Sequence, residues 1–540
     1  MGKRLLTART VHETNPGPPF RKFDPQTDLP SDLARRAYSI YQKIGLDGVR
    51  IHKSRFDMGG SHTTVTYPPL FALRPSSGSE VWTAERLGPL VDLYIHIAFC
   101  ETRCTFCPYD ADVPHGRTQD VEDYLGALKI ELAAYAKRLG ANGSKLNSIY
   151  IGGGTPTILS RAQLGALIDF VRSNYAPAEG LPFCIEGSPP TIMAPEGKEK
   201  LEMLRAKGVN RLSIGIQSFD DAVLANVARR YGGEVAHAAV KTAMGLFENV
   251  NIDLIQDLRG QTLESIQRDL DIIAELLPPS VTWYNQRATP DAADFRFIES
   301  RPQEYGDEME SHIARIMIFE RTMELGYVRE YGDKFVRGGK FKDSFKRARS
   351  STITDMVGVG SSAYSHANGF FYRNVESAEA YIDLMNKRGS AIAHALPLSP
   401  EEVFAGLIVH GIKFGIDLKA VCEVVGEWRV AHFLRKHRIN EKLRSLQEDG
   451  LISVEGSIIR LTEKGRLFEN EICRLFYSPS VEKALSQRGC PAYVKWYFRI
   501  VHAASMLMLL YSIGEALLNQ GSATADRKSE EICQPFSCGT

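Results

Sequence analysis

"YIHIAFCETRCTFCPYD", residues 94–110, places three cysteines, Cys100, Cys104 and Cys107, within eight positions. No other part of the chain is as dense in soft ligands. The run before them reads as a short buried strand over residues 93–98, so the cysteines sit on the loop that leaves it. The chain has 540 residues, 44% hydrophobic and 24% charged, the balance of an ordinary globular protein of several domains. Lys+Arg and Asp+Glu are both 65, so no global field points to nucleic acid or an anionic membrane. The opening MGKRLLTARTVHETNPGPP is basic without an apolar core, which predicts no secretory signal and a reducing, cytoplasmic location. Nine cysteines, an odd number spread widely, argue there against a disulfide framework. A closed zinc site is the better rival, but it needs four ligands, and only His96 lies near the three thiols in sequence. Three thiolates suit a [4Fe–4S] cluster with one iron left open for a further ligand.

Downstream, strand-like and helix-like segments alternate. Residues 120–139 carry Val121, Tyr124, Leu125, Leu128, Leu132, Tyr135 and Leu139 at helical spacing. Strands are expected over 148–152, 183–186, 211–217, 250–255 and 281–285, with helices over 162–173, 222–229 and 263–277. Six strands separated by helices predict an α/β fold, a parallel sheet or partial (β/α)6 barrel with ligands at the carboxyl ends of its strands. Those ends carry chemistry. "IYIGGGTPT" (residues 149–157) runs a strand into glycines that admit close backbone approach, although a tight turn explains them as well. "CIEGSPP" (184–190) ends a strand on Glu186, and "RLSIGIQSF" (211–219) ends one on Gln217. Arg229 follows one helix later, and "VNIDLIQDLRGQT" (250–262) sets Asp253 inside an apolar strand. One buried acid on a strand is usually a satisfied structural group. Four polar side chains on successive strands favour convergence on a ligand.

Cys-x3-Cys-x2-Cys, with Phe106 just before the last cysteine, resembles the signature of the radical S-adenosylmethionine (SAM) enzymes. "YIHIAFC", "IGGGTPT", "RLSIGIQSF", "NIDLIQDLRGQT" and "VGVGSSAYSH" (357–366) resemble, in that order, landmarks of the HemN-like branch, over residues 94–476. The resemblance implies that Cys100, Cys104 and Cys107 ligate three irons and that SAM chelates the fourth. It implies that Gly153, Gly154 and Thr155 approach the methionine end of SAM. Glu186, Gln217, Arg229 and Asp253 would hold its amino group, carboxylate and ribose, and Tyr94 and Phe106 would flank the cluster. Ile255 and residues 358–364 would wall a second SAM. No catalytic side chain is named by the motifs. The implied partners are a small-molecule substrate and an electron donor of the flavodoxin or ferredoxin type, with a partner methyltransferase as a further option, and neither nucleic acid nor membrane.

Within the branch, coproporphyrinogen oxidases usually continue the triplet as C-x-C, whereas this chain has Cys107-Pro108-Tyr109. Ala98 and Arg259 stand where proline is common. The leader "TYPPLFALRP" (66–75) and the C-x-Tyr ending look more like HemN-type C-methyltransferases and cyclopropanases of natural-product pathways. Those spend one SAM on the adenosyl radical and a second as the carbon donor to an sp2 carbon. Coproporphyrinogen decarboxylation, haem degradation and haem carriage are the alternatives. The expected organisation is an N-terminal extension (1–88), a radical SAM core (89–390), a winged-helix-like C-terminal module (391–478), and an apolar helix with a disordered tail (479–540). The module rests on residues 438–476, which read as helix, hairpin and helix with a turn at Glu455-Gly456. The apolar run 497–518 is interrupted by Arg499, His502 and Glu515 and is expected to pack on the body, not to span a membrane. Cys533 and Cys538 are not expected to be cluster ligands.

Overall fold

The computed structural model describes residues 20–46, 66–83, 86–109, 111–113, 118–289, 292–340 and 354–487. The apolar run 497–518, Cys490, Cys533 and Cys538 lie outside the described residues.

All six expected strands form. They are β2 (Leu90–Ile97), β3 (Lys145–Gly153), β4 (Phe183–Gly187), β5 (Arg211–Gln217), β6 (Asn249–Gln256) and β7 (Ser280–Asn285), following the two-residue β1 (Arg74–Pro75). Each pairs parallel with the next from β2 to β7. A seventh parallel strand, β10 (Asp355–Val359), joins on the outer side of β2. The antiparallel strands β11 (Tyr364–Ala367), β12 (Phe370–Asn374), β13 (Ile392–Pro397) and β1 continue from β10. At the other end β7 pairs with β9 (Lys334–Arg337), and β9 with β8 (Tyr327–Tyr331). Among the described residues the end strands β1 and β8 do not pair with each other.

The period of two along each strand separates packing from chemistry. On β2, Leu93, Ile95 and Ile97 are fully buried, while Asp92, Tyr94 and His96 share the opposite face. Helices cover the first face: Thr118–Asn142 follows the cysteine loop, Arg161–Asn174 follows β3 and Leu263–Leu276 follows β6. Ser160 and Thr262 start the last two through capping boxes, which satisfy otherwise orphaned N–H groups. The helix expected over 222–229 is shorter, Asp221–Asn226, because the chain turns through a positive φ at Ala228 to bring Arg229 back toward the sheet.

The leader is part of the main body. Besides β1, Tyr67 donates its hydroxyl to Glu402 Oε2 at 2.8 Å and accepts from the Ser478 N–H at 3.0 Å. Toward the C-terminus, helices Leu418–Val425, Glu427–Lys436 and Ile439–Glu448 precede the expected hairpin of β15 (Ile452–Glu455) and β16 (Ile458–Leu461). The inner strand β16 also pairs with β14 (Ile416–Asp417). The helix expected after the hairpin is broken into Glu463–Arg466 and Glu469–Arg474. No described helix is long and apolar enough to cross a membrane.

Candidate active site

The carboxyl ends of β2 to β7 open into a cavity of about 560 Å3. The cysteine loop is pinned at its start: the Cys100 N–H donates to Asp112 O (3.0 Å), and the Asp112 N–H donates to Ala98 O (2.7 Å). Further along, the Thr105 N–H donates to Val227 O (3.3 Å), and Thr105 O accepts from the Asp294 N–H (2.9 Å). All three cysteines are half-buried and line the cavity. Burial raises the Cys100 thiol, and it pushes the Cys107 thiol up to about 12, with Cys104 adding to both. Thiols this close in a poorly solvated loop lose their protons only against a strong positive partner, the condition that bound iron provides.

β3 supplies the approach to them. A Cβ on Gly154 would overlap the Phe99 carbonyl oxygen and lie 3.0 Å from Cys100 Sγ. Gly153 has φ +110°, and a Cβ there would lie 2.8 Å from the His96 ring. Thr155 Oγ1 donates to Cys100 Sγ at 3.6 Å. On β4, Glu186 accepts from Tyr150 Oη (2.5 Å) and from the Gly153 N–H (3.2 Å). Gln217 ends β5 at φ +72°. Asp253 accepts from Ser213 Oγ and Asn251 Nδ2, both at 2.9 Å, which fixes its carboxylate in the sheet wall. Arg229 lies over Phe106 and Tyr231, each ring centroid 5.8 Å from its guanidinium carbon. Burial works against its charge, but Tyr231 and the three cysteines outweigh that and hold its pKa above the ordinary value. Its Nε is buried without a hydrogen-bond partner. A buried guanidinium N–H left over in a cavity wall fits a ligand carboxylate.

All thirteen residues anticipated from the motifs line this one cavity: Tyr94, Cys100, Cys104, Phe106, Cys107, Gly153, Gly154, Thr155, Glu186, Gln217, Arg229, Asp253 and Ile255. Tyr364, from the 358–364 segment, joins them. His96 does not. Its Nδ1 is 3.0 Å from Tyr94 Oη, and burial pushes its pKa down to about 3, so its ring is neutral. Among the described residues no three His, Cys, Asp or Glu side chains converge on a single metal ion. A cluster in which each thiolate holds a different iron needs no common centre, so the donor set fits it.

Sequence reasoning missed the other half of the wall: Tyr284 and Arg287 around the end of β7, Tyr331 to Lys334 at the β8–β9 turn, and Lys413 and Glu469. The alternation of β7 could have flagged Thr282 and Tyr284. Nothing local marks Lys413 or Glu469, which arrive by tertiary packing.

Residues 94–273 match the family model described as the Radical SAM superfamily. The heme chaperone HemW of Bacillus subtilis (strain 168) is 28% identical over 389 residues, 71% of this chain and 98% of that protein. An oxygen-independent coproporphyrinogen III oxidase of Escherichia coli (strain K12) is 28% identical over 418 residues, 74% of this chain and 88% of that one. The solved structure of HemN, the E. coli coproporphyrinogen III oxidase described as a radical SAM enzyme, superposes with TM-score 0.66 at 26% identity, over 76% of this chain and 96% of its own. The chain carries a radical SAM domain and is homologous to the HemN family. A radical SAM domain implies a [4Fe–4S] cluster and SAM as its cofactors. The matched segment begins at Tyr94 and ends within the helix after β6, so it contains the thirteen residues named above but not the 358–364 segment. The C-methyltransferase and cyclopropanase subtype finds no counterpart among these relatives, which are oxidases and a haem chaperone.

Proposed function

We propose that this chain acts on tetrapyrroles, as an oxygen-independent coproporphyrinogen III dehydrogenase-like or haem-handling radical SAM protein. The observation that carries the reading is the extent of the homology: 98% of the haem chaperone and 88% of the coproporphyrinogen oxidase are matched, not the radical SAM segment alone. Bound together, the cluster and SAM would supply radical chemistry for hydrogen abstraction, with the electron drawn from a flavodoxin- or ferredoxin-type donor. In this reading Cys100, Cys104 and Cys107 each hold one iron. Arg229 directs its buried N–H to the SAM carboxylate, and Glu186, already accepting from Tyr150 and Gly153, takes the amino group. Gln217 and Asp253 bind the ribose, with Asp253 held rigid by Ser213 and Asn251. Tyr94 and Phe106 shield the reacting atoms from water.

One observation favours a second reading, methyl or methylene transfer from a second SAM to an sp2 carbon. Where coproporphyrinogen oxidases carry a further cysteine, this chain places Tyr109, exposed and on the cavity wall. Ile255 and Tyr364 would then bound the second SAM.

Reduced, cluster-reconstituted protein with SAM and coproporphyrinogen III separates the two. The tetrapyrrole reading expects carbon dioxide with 5′-deoxyadenosine and no S-adenosylhomocysteine, or stoichiometric haem binding in an absorbance titration. The transfer reading expects S-adenosylhomocysteine, with deuterium from methyl-labelled SAM appearing in 5′-deoxyadenosine. Absence of both carbon dioxide release and haem binding would overturn the tetrapyrrole assignment.

A further inference from the structure

Beyond β7 the cavity wall is built of charge. Arg287 Nη2 lies 2.6 Å from Glu471 Oε1, with both side chains almost wholly buried. Arg329 Nη2 is 3.3 Å from Glu469 Oε2, and Lys413 Nζ is 3.9 Å from Glu469 Oε1. Lys334 faces Glu330 at 3.7 Å, and Arg315 contacts Asp333. Burial pushes the Arg329 pKa down to about 9; Glu469 opposes this, while Arg315 and Arg466 repel it. Arg466 has its Nε buried without a hydrogen-bond partner. Counted among the described residues, these contacts bring six cations against four carboxylates.

Two of those carboxylates, Glu469 and Glu471, come from the six-residue helix Glu469–Arg474, whereas Arg287, Arg315, Arg329 and Lys334 lie on or beside the end of the sheet. Glu471 is held at a charge-assisted distance. Glu469 is not: 3.3 and 3.9 Å exceed the 2.7–2.9 Å of a tight pair, although its Oε1 would lie only 2.9 Å from a Cβ placed on Gly332. Its carboxylate is pressed into the β8–β9 turn and loosely coordinated. Taking one partner from a buried pair is strongly unfavourable unless another charge replaces it. Glu469, Lys413, Arg287 and Lys334 all line the cavity that holds the cysteines, so a cavity ligand can reach them.

We propose that this end of the cavity is a subsite for a carboxylate of the substrate, and that Glu469 is the internal carboxylate that fills it until the substrate arrives. Exchange of one carboxylate for the other loosens the Glu469 end of the helix Glu469–Arg474, which Glu471 still holds to Arg287, and so couples this part of the chain to substrate binding. The inference deepens the reading above and rests on it only in taking this cavity as the catalytic one.

Cluster-reconstituted protein is titrated with three probes: coproporphyrin III, its tetramethyl ester, and propane-1,2,3-tricarboxylate. Hydrogen exchange is followed over residues 463–476. The proposal expects both acids to bind and to speed exchange there, while the ester does neither. Glu469→Gln, which removes the internal competitor, should tighten acid binding by about tenfold, and Lys413→Gln should weaken it by a similar factor. Should Glu469→Gln fold poorly, exchange in the unmodified protein decides alone. Tricarboxylate binding without porphyrin binding would keep the subsite and remove the tetrapyrrole reading. Equal binding of acid and ester, with exchange unchanged, would remove the subsite and leave the tetrapyrrole reading standing.

Discussion

Gly154→Ala tests whether the glycine loop is shaped by the cysteine loop. The added methyl would lie 2.8 Å from the Phe99 carbonyl carbon and 3.0 Å from Cys100 Sγ. Carbon atoms at van der Waals contact sit about 3.5–4.0 Å apart, so roughly 0.7 Å or more of movement is required. β3 cannot supply it cheaply. The Gly154 N–H donates to Ile97 O and the Thr155 N–H to Phe99 O, each at 2.7 Å, and the two bonds tie the end of β3 to β2 and to the cysteine loop. The loop at Phe99 and Cys100 is therefore what yields. Forcing a methyl into a packed site costs about 1–3 kcal/mol, a modest fall in Tm. Moving Cys100 by that distance removes one ligand from its place, so the loss should be concentrated in iron content. Gly143→Ala is the control: Gly143 also has a positive φ (+72°) but nothing within 4 Å of the added atom. Both variants should fold, and only Gly154→Ala should lose most of its iron after anaerobic reconstitution. Gly154→Ala with full iron and an unchanged Tm would refute the geometry on which the site rests.

Cys104→Ala should abolish the brown chromophore and the bound iron while Cys422→Ala, at a half-buried position away from the loop, leaves iron analysis unchanged. Arg229→Gln should weaken SAM binding by ~1.5–3 kcal/mol, roughly 10–100-fold in equilibrium dialysis, with iron retained. Glu131, beneath the 358–364 segment, accepts from the Gly360 N–H (2.9 Å), Asn374 Nδ2 (2.8 Å) and Tyr381 Oη (2.6 Å), yet burial pushes its pKa up to about 7. A folded pKa raised above the unfolded one gives stability that is complete below about pH 4.5 and is lost as pH rises through 7. Glu131→Gln should remove that loss, flattening the fall in stability between pH 5 and 8 by about 3 kcal/mol in denaturant titrations. A fall as steep as that of the parent protein would show that Glu131 does not titrate there.

The parallel strands were legible because each is buried on one face by continuous aliphatic residues and bounded by turn residues, as at Leu93, Ile95 and Ile97 on β2. The site was legible for a related reason. Its chemistry lies at the carboxyl ends of those strands, where a polar side chain such as Glu186 or Asp253 interrupts an apolar run. The outer strands were less so. β8 and β9 are short, joined through a turn of which Gly332 and Asp333 are the visible signs, and β10 is a five-residue apolar strand whose parallel neighbour β2 lies more than 250 positions earlier. Pairing at that separation is decided by packing, which no local pattern records.

The same division explains why the two ends of the cavity differ in how they can be read. At the cysteine end, on the proposed reading, each side chain answers to a cofactor whose shape is fixed. Glycines must be absent of side chain, Arg229 must keep a buried donor, and thiols must crowd; these are constraints on residue type at set spacing. At the charged end Arg287, Lys413 and Glu469 come from segments more than 50 residues apart, and their types are constrained only as members of a balanced set. The cysteine end is thus built on the strand order, while the far wall joins Arg287 and Lys334 from the sheet end to Lys413 and Glu469 from later in the chain.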